Sequence, residues 1–453
     1  EGHPGLDYPL VEREVPADPD VAACCARWAD LVELDARYLA PVANLRTWLI
    51  ERLAGVGDEA RAGRIRRAVR RLASARQRIV LQGVARARRN ELRKAVADRY
   101  WAEASALGPP DHVLPRVRNA LEVGDPRLVV IPTRDCSLRC TYCPADKATG
   151  MEMSGDTLRR SVELLLSTDE PRAILQFFGG EALMCRAPVL ETMAHGLDLA
   201  QRAGKRLGFI LSTNGLSLEP GLLEVLSHLP VKIEVSLDGT PDVQNLHRRS
   251  PDPGVDSYSA VTRHLDALFE SGLEHEVIMV VTPDTVGRLC ESFTHVASLG
   301  FGRIQINYGL AVLWSRAAKE SLARQLRAIE RRFFAESVDG AGVEWIDLRS
   351  FRHPMLLNGE ITVDHDGTVY FGNGFLIRTA DPARFRAGHL DDLEAFDAYG
   401  HARPDNEYLI EHTYPADVAR NNLEVGRIYG SFVRHMRSRF PELTSRQPTR
   451  CPA

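Results

Sequence analysis

From residue 127 onward the hydrophobic and polar positions follow two alternating rhythms. Compact apolar runs at 128–131, 173–178, 207–211, 231–235, 277–281 and 304–307 read as buried strands. Between them lie segments with apolar residues three and four apart, such as 158–166, 189–200, 261–269 and 319–334, which read as amphipathic helices. Six strand–helix units in series predict parallel strands joined by right-handed crossovers. Six is too few for a closed eight-stranded barrel but fits a partial TIM-type (β/α)6 barrel, an α/β fold whose chemistry gathers at the carboxyl ends of the strands.

The two ends of the chain read differently. Residues 1–125 show helical periodicity and almost no strand alternation, which predicts an all-helical N-terminal domain before the core at 126–340. Within it, residues 61–100 hold thirteen Arg and one Lys against Glu91 and Asp98, with Ile65, Val69, Leu72, Ile79 and Val80 at helical spacing. That stretch is either a basic face for an acidic partner or a solvated Arg-rich surface whose long side chains cover apolar area. No aromatic residue interleaves the arginines before Tyr100, which weakens a single-stranded nucleic-acid reading. Residues 341–453 form a third, small α+β region, with a hairpin around Asp366-Gly367 and a C-terminal helix near 425–439.

Composition narrows the classes. Of 453 residues, 44% are apolar and 26% charged, and the formal net charge is −4, as in ordinary globular proteins. The longest apolar runs fall well short of the ~20 residues that a bilayer span needs. No signal peptide is visible, and a cytoplasmic protein with no membrane partner is expected. Eight cysteines are too few for a disulfide scaffold at this length.

Three of those cysteines fall within eight residues, in Asp135-Cys136-Ser137-Leu138-Arg139-Cys140-Thr141-Tyr142-Cys143, directly after the first strand. Three thiolates spaced in this way can wrap one compact metal centre. A structural zinc would require a fourth ligand, from Cys185 or a histidine. An iron–sulfur cube normally takes four cysteines, so three would leave one iron open to an exogenous ligand. Further small, polar and glycine-rich segments follow later strands: Gly179-Gly180-Glu181-Ala182-Leu183, Ser212-Thr213-Asn214-Gly215 and Ser236-Leu237-Asp238-Gly239. Taken singly each is ordinary turn chemistry.

Together, and in this order, these segments resemble the radical S-adenosylmethionine (SAM) superfamily over roughly residues 127–310. The resemblance implies that Cys136, Cys140 and Cys143 hold one [4Fe–4S] cluster whose open iron chelates SAM, reductive cleavage then giving a 5′-deoxyadenosyl radical. It implies SAM contacts from Tyr142, Gly179, Gly180, Glu181, Ser212, Asn214, Ser236 and Asp238. Peptide-modifying members usually carry His-Asp-x-x-Arg beyond that aspartate. Here the segment is Gln244-Asn245-Leu246-His247-Arg248, so Arg248 is retained as a partner for the SAM carboxylate, with Arg249 equally reachable. The C-terminal region resembles a SPASM/twitch extension without its auxiliary-cluster cysteines, Leu356, Leu357 and Gly372 standing in the expected places and no cysteine between Cys290 and Cys451.

The resemblance implies a peptide maturase acting on a ribosomally made precursor peptide or protein, with crosslinking, epimerisation or oxidation at an unactivated carbon. An electron donor such as flavodoxin or ferredoxin is then a required partner. A small-metabolite substrate is the alternative within the same class. An RNA-modifying protein using the 61–99 helix is the alternative outside it, although a nucleic-acid partner is not the expectation.

Overall fold

The computed structural model describes residues 126–168, 171–335, 342–349, 360–378, 380, 382–392 and 414–440. The expected N-terminal helical domain with its Arg-rich stretch, and Leu356 and Leu357, lie outside the described residues.

The six anticipated strands are present as β1 (Arg127–Val130), β2 (Arg172–Phe177), β3 (Arg206–Thr213), β4 (Val231–Ser236), β5 (Glu274–Val281) and β6 (Arg303–Tyr308). They pair in sequence order and all in parallel, with Val130 opposite Phe177, Leu211 opposite Ile233 and Val281 opposite Tyr308. Crossover helices cover one face: α1 (Gly155–Leu166), α2 (Arg186–Arg202), α3 (Pro220–Ser227), α4 (Pro241–His247), α5 (Ser257–Thr262), α6 (Leu265–Glu270), α7 (Leu289–Ser298) and α8 (Arg316–Phe333). This is the partial α/β barrel that the rhythm of the sequence predicts. Ser154 and Ser315 accept from the backbone N–H of Thr157 and Ala318 and so fix where α1 and α8 begin. The segment expected as one helix at 261–269 is broken into α5 and α6 around Arg263 and His264.

The two faces of the strands differ in kind. Leu207 and Phe209 face α2, where a Cβ added to Gly196 would meet the Leu207 Cδ2 at 2.8 Å. The alternate residues face the barrel interior, and many are polar: Gln176, Glu234, Glu276 and Asn307 are buried and Ser212 is half-buried. Ser212 donates to Glu234 Oε2 at 2.6 Å, Gln176 donates to both, and Lys232 lies 2.9 Å from Glu276. The apolar runs are thus the helix-facing halves of strands whose inner halves line a polar lumen.

Beyond β6 the chain continues the same sheet at both edges. β7 (Glu344–Trp345) pairs with β6, while β8 (Ile361–Val363) returns to pair in parallel with β1, and β9 (Thr368–Phe371) and β10 (Arg386–His389) follow antiparallel. The order is β10-β9-β8-β1-β2-β3-β4-β5-β6-β7. The β8–β9 hairpin forms at Asp366-Gly367 as the sequence suggests, Gly367 adopting φ +84°.

The final helix, α10 (Ala416–Arg439), begins earlier than its apolar pattern indicates. Its first turns carry Asn421 and Asn422, which bond the backbone of the loop after β6: Asn422 Oδ1 accepts from Ala311 N, and Asn421 Oδ1 from Trp314 N. These polar side chains face the protein, so the hydrophobic period is interrupted where the helix is nonetheless packed.

Asp347, on the short helix α9 (Ile346–Arg349), is the joint between β6 and α10. Its Oδ2 accepts from Ile306 N at 2.8 Å and from Trp345 Nε1 and Tyr429 OH at 3.0 Å each. Burial outweighs these bonds and pushes its carboxyl up to about 6. A raised folded-state value means that stability is gained as pH falls through 6 towards 4 and lost as pH rises again. The difference is roughly 3 kcal/mol over that window. Asp347→Asn is expected to flatten this component, so the stability of wild type relative to the variant should rise between pH 7 and pH 4.5. Urea unfolding of the metal-free chains at both pH values measures it, and parallel pH profiles would refute it.

Candidate active site

The cysteine loop leaves β1 and is held by its own backbone before any ligand is considered. Asp135 Oδ1 accepts from Cys136 N at 2.7 Å, Cys143 N donates to Cys140 O in a turn, and Lys147 Nζ donates to Leu138 O. Leu138 and Tyr142 are buried and anchor the loop in the core, leaving Cys136 buried and Cys140 and Cys143 half-buried. Burial pushes the Cys140 thiol up, with Arg248 and Lys147 pulling the other way.

The β2 end comes up beneath this loop. Gly180 N donates to Thr133 O at 3.1 Å and Glu181 N to Asp135 O at 2.8 Å. A Cβ on Gly180 would lie 1.8 Å from Asp135 O, so only glycine fits. Gly179 adopts φ +118°, in the region that favours glycine. Glu181 is buried, accepting from Leu183 N, from Thr213 Oγ1 at 2.7 Å and from Asn214 N at 2.7 Å. Burial raises its carboxyl, and the three donors oppose that. Its carboxylate ties the end of β2 to the end of β3, so the structure gives it a bracing role beside the SAM contact that the resemblance implies.

At the β3 end, Asn214 Nδ2 donates to Ser137 Oγ at 2.9 Å and approaches Cys136 Sγ at 3.8 Å. Ser212 lies lower on β3, in the lumen network. Ser236 sits half-buried at the last position of β4. Asp238, just beyond, is the hub of the site. Its Oδ2 accepts from Tyr142 OH at 2.7 Å, and its Oδ1 accepts from Arg248 Nη2 and Val280 N, both at 2.9 Å. One carboxylate therefore joins the cysteine loop, the β5 end and the residue after α4. Arg248 is buried, 5.6 Å from the Tyr142 ring centroid, and its Nε has no hydrogen-bond partner. Arg249 is exposed and donates to Leu246 O, so Arg248 is the arginine that faces the site.

Three side chains play parts that sequence reasoning did not assign. Gln244, where the resemblance implies His, accepts from Asp238 N at 2.8 Å and so supports the hub. Asn245 instead accepts from Ser257 Oγ and Tyr258 N and holds the start of α5. His247 is buried, with Nδ1 2.6 Å from Thr141 Oγ1 and Nε2 3.0 Å from Thr282 Oγ1 and 3.2 Å from Asp284 Oδ1. It links the cysteine loop to the β5 end, a part that the sequence did not assign to it. The signal available was a histidine adjacent to the retained arginine; its partner lies 106 residues away.

The C-terminal region braces the loop from outside. Asp146 N donates to Leu376 O at 2.7 Å, Arg378 N donates to Pro144 O, and Ala145 bridges Ile377. Arg134, two residues before Cys136, pairs through two nitrogens with Asp364 and lies 5.6 Å from the centroid of Phe375, whose ring stacks on Tyr370 at 3.8 Å.

The donor set suits an iron–sulfur cluster better than a lone zinc. The one group of three His, Cys, Asp or Glu gathered within 4.8 Å among the described residues is Asp364, His365 and Asp366, not the three thiols. A tetrahedral zinc with ~2.3 Å bonds needs its ligands that close. Three thiols, buried strand-end polar groups and the unpartnered Arg248 Nε fit a cluster with one open iron and a charged organic ligand beside it. Cys185 is set apart, its thiol directed at Pro132 O and raised by burial to about 11.

Comparison with known proteins agrees with this geometry. The family model described as the Radical SAM superfamily matches residues 130–294. The cysteine-type anaerobic sulfatase-maturating enzyme of Clostridium perfringens (strain 13 / Type A) is 23% identical over 285 residues, covering 57% of this chain and 75% of the relative. Among solved structures, hexahistidine-tagged anSMEcpe with bound AdoMet superposes with a TM-score of 0.58 at 16% identity, over 70% of this chain and 95% of that one. Native anSMEcpe with bound AdoMet and Cp18Cys peptide gives 0.56 at 17% identity, over 70% and 99%. At these identities the superpositions speak for the fold. Among the described residues no helix is long and apolar enough to cross a membrane.

Proposed function

We propose that this chain, whose residues 130–294 match the family model of the Radical SAM superfamily, is a radical SAM enzyme that modifies a peptide or protein, most simply a ribosomally made precursor. The observation that carries the peptide reading is the C-terminal addition. Strands β8–β10 extend the barrel sheet and lay residues 374–378 against the cysteine loop. The solved neighbour holding a peptide resembles this chain over 99% of its own length, well beyond a barrel alone.

Cys136, Cys140 and Cys143 would hold one [4Fe–4S] cluster, which with SAM supplies a 5′-deoxyadenosyl radical able to take hydrogen from an unactivated carbon. Gly179 and Gly180 let the β2 end approach the loop. Asn214, Ser236 and the free edge of Arg248 would orient SAM, the guanidinium Nε offering a charge-assisted hydrogen bond to its carboxylate. Asp238 keeps that guanidinium and the Tyr142 phenol in position. The lumen side chains Gln176, Ser212 and Glu234 would supply a polar floor for the substrate. With no cysteine between Cys290 and Cys451, a single cluster is expected, which favours redox-neutral outcomes or ones quenched by a side chain.

Anaerobic reconstitution tests this reading. About four irons and four sulfides per chain are expected, as one [4Fe–4S] cluster requires, with 5′-deoxyadenosine and a mass-shifted product formed from the peptide encoded beside the gene. Eight or more irons would refute the single cluster. Turnover of a small metabolite, with none of any peptide, would refute the substrate class.

A further inference from the structure

Charge is spread unevenly over the helices of the barrel. Helices α1–α7 together hold four Arg against nine Asp and Glu. Helices α8 and α10 hold eleven Lys and Arg against four Asp and Glu. These two lie side by side and run in the same direction, Lys319 pairing with Glu424 near their starts and Glu330 with His435 and Arg439 near their ends. Three of their four carboxylates are neutralised within the pair, the third being Glu320, which Arg316 takes at 2.8 Å. Arg324 and Arg331 on α8, and Arg420, Arg427 and Arg434 on α10, are all exposed and recur every seven residues. Seven residues are about 10.5 Å of helix, so each row is a ladder of guanidinium groups along its axis. Among the described residues, the ion pairs of the two helices leave out Arg324, Arg331, Arg420 and Arg427.

Both ladders begin at the carboxyl ends of the strands. Helix α8 follows the loop that leaves β6, and Asn421 and Asn422 on α10 bond that same loop. The loop also carries Leu313, a large apolar side chain that is 59% exposed. We infer that the α8–α10 face is a docking track for an acidic segment of the peptide substrate, one that flanks the modified residue, and that it selects which peptide is processed. The inference rests on the peptide reading above. Guanidinium groups bind carboxylates bidentately, and complementary charge fixes register and partner more than raw affinity. With 18 and 24 residues, the helices span about 27 Å and 36 Å, which matches roughly eight to eleven residues of extended chain. No aromatic side chain is exposed on either helix, so nucleic-acid bases would find no stacking platform there.

The test uses the full reconstituted chain and two probes, a fluorescent ten-residue peptide of alternating Glu and Gly and the peptide encoded beside the gene. Arg324→Glu, Arg331→Glu, Arg420→Glu and Arg427→Glu are combined, and the matched Gln variant guards against misfolding. Iron content and circular dichroism should stay as in wild type. Anisotropy should show the acidic peptide binding wild type, weakening steeply with salt, and binding the Glu variant roughly tenfold or more weakly. With the neighbouring peptide, KM should rise by about tenfold or more while kcat stays within about twofold, because the interaction is made equally before and during the chemical step. Deleting the acidic stretch of that peptide should raise KM for wild type and leave the variant unmoved. Acidic-peptide binding that is insensitive to salt or unchanged in both variants would overturn the inference. So would a neighbouring peptide that is turned over without any acidic stretch, or tighter binding of a structured RNA lost in the same variants. If only a small metabolite is turned over, the peptide reading itself fails, and a KM for that metabolite unchanged in the variants would overturn the track as well.

Discussion

Gly180→Ala is expected to abolish cluster loading while leaving most of the barrel folded. The added methyl carbon would lie 1.8 Å from Asp135 O, 2.7 Å from Asp135 C and 2.8 Å from Arg134 C. All three atoms are backbone, so no side chain can swing aside. Gly180 does not have a positive φ, and the effect is therefore one of space alone. Restoring ordinary contact means lifting the start of the cysteine loop by about 1.6 Å, which also breaks the bonds from Gly180 N to Thr133 O and from Glu181 N to Asp135 O. A displacement of that size at a reacting centre costs on the order of a hundredfold in rate, and three ligands on one short loop cannot all follow it. Iron and sulfide analysis after reconstitution, with circular dichroism for the fold, measures the result. An alanine variant with full iron and activity would show that the loop is not held as described.

Asp238→Asn is expected to cost both stability and SAM affinity. The carboxylate serves the Tyr142 hydroxyl, the Val280 amide and the buried Arg248 guanidinium at once. Removing its charge leaves Arg248 buried beside a neutral amide, and breaking such a pair costs about 3–5 kcal/mol. Burial already holds the Tyr142 phenol protonated, far above its ordinary value, so Tyr142 remains a donor that needs an acceptor. Adding Arg248→Met to Asp238→Asn removes the stranded cation and should recover much of the stability, because replacing a buried pair by apolar volume is often nearly neutral. SAM affinity should stay low in the double variant, by roughly tenfold or more, for want of a charge-assisted donor to its carboxylate. Urea unfolding and equilibrium SAM binding separate the two effects. Full SAM binding in the double variant would remove Arg248 from the cofactor site.

The sequence showed the barrel clearly because its strands keep a nearly continuous apolar helix-facing half, and their inner polar residues interrupt the runs only one position at a time. The start of α10 was hidden by Asn421 and Asn422, which are polar because they bond a loop more than 100 residues earlier. The motifs at the strand ends were legible as residues, but their reasons were not. That Gly180 is needed depends on where Asp135 passes, and that Asp238 binds Arg248 rather than Arg249 depends on which way the chain turns after α4. The His247–Thr141 contact joins segments whose separation carries no periodic signal. The bracing of the loop by residues 374–378 is of the same long-range kind.

The parallel pairing of β8 with β1 also fixes an order of events. Val129 lies opposite Thr362, a separation of 233 residues. At synthesis rates of about 5–20 residues per second, β1 emerges some ten to fifty seconds before its outer neighbour exists. Through that interval β1 presents an unpaired edge, the usual template for pairing with another chain, and its cysteine loop lacks the outer brace. Iron delivered before residues 374–378 have emerged would meet an unfinished receptacle, and shortening the chain before residue 378 should leave an aggregating, iron-poor protein rather than a smaller enzyme.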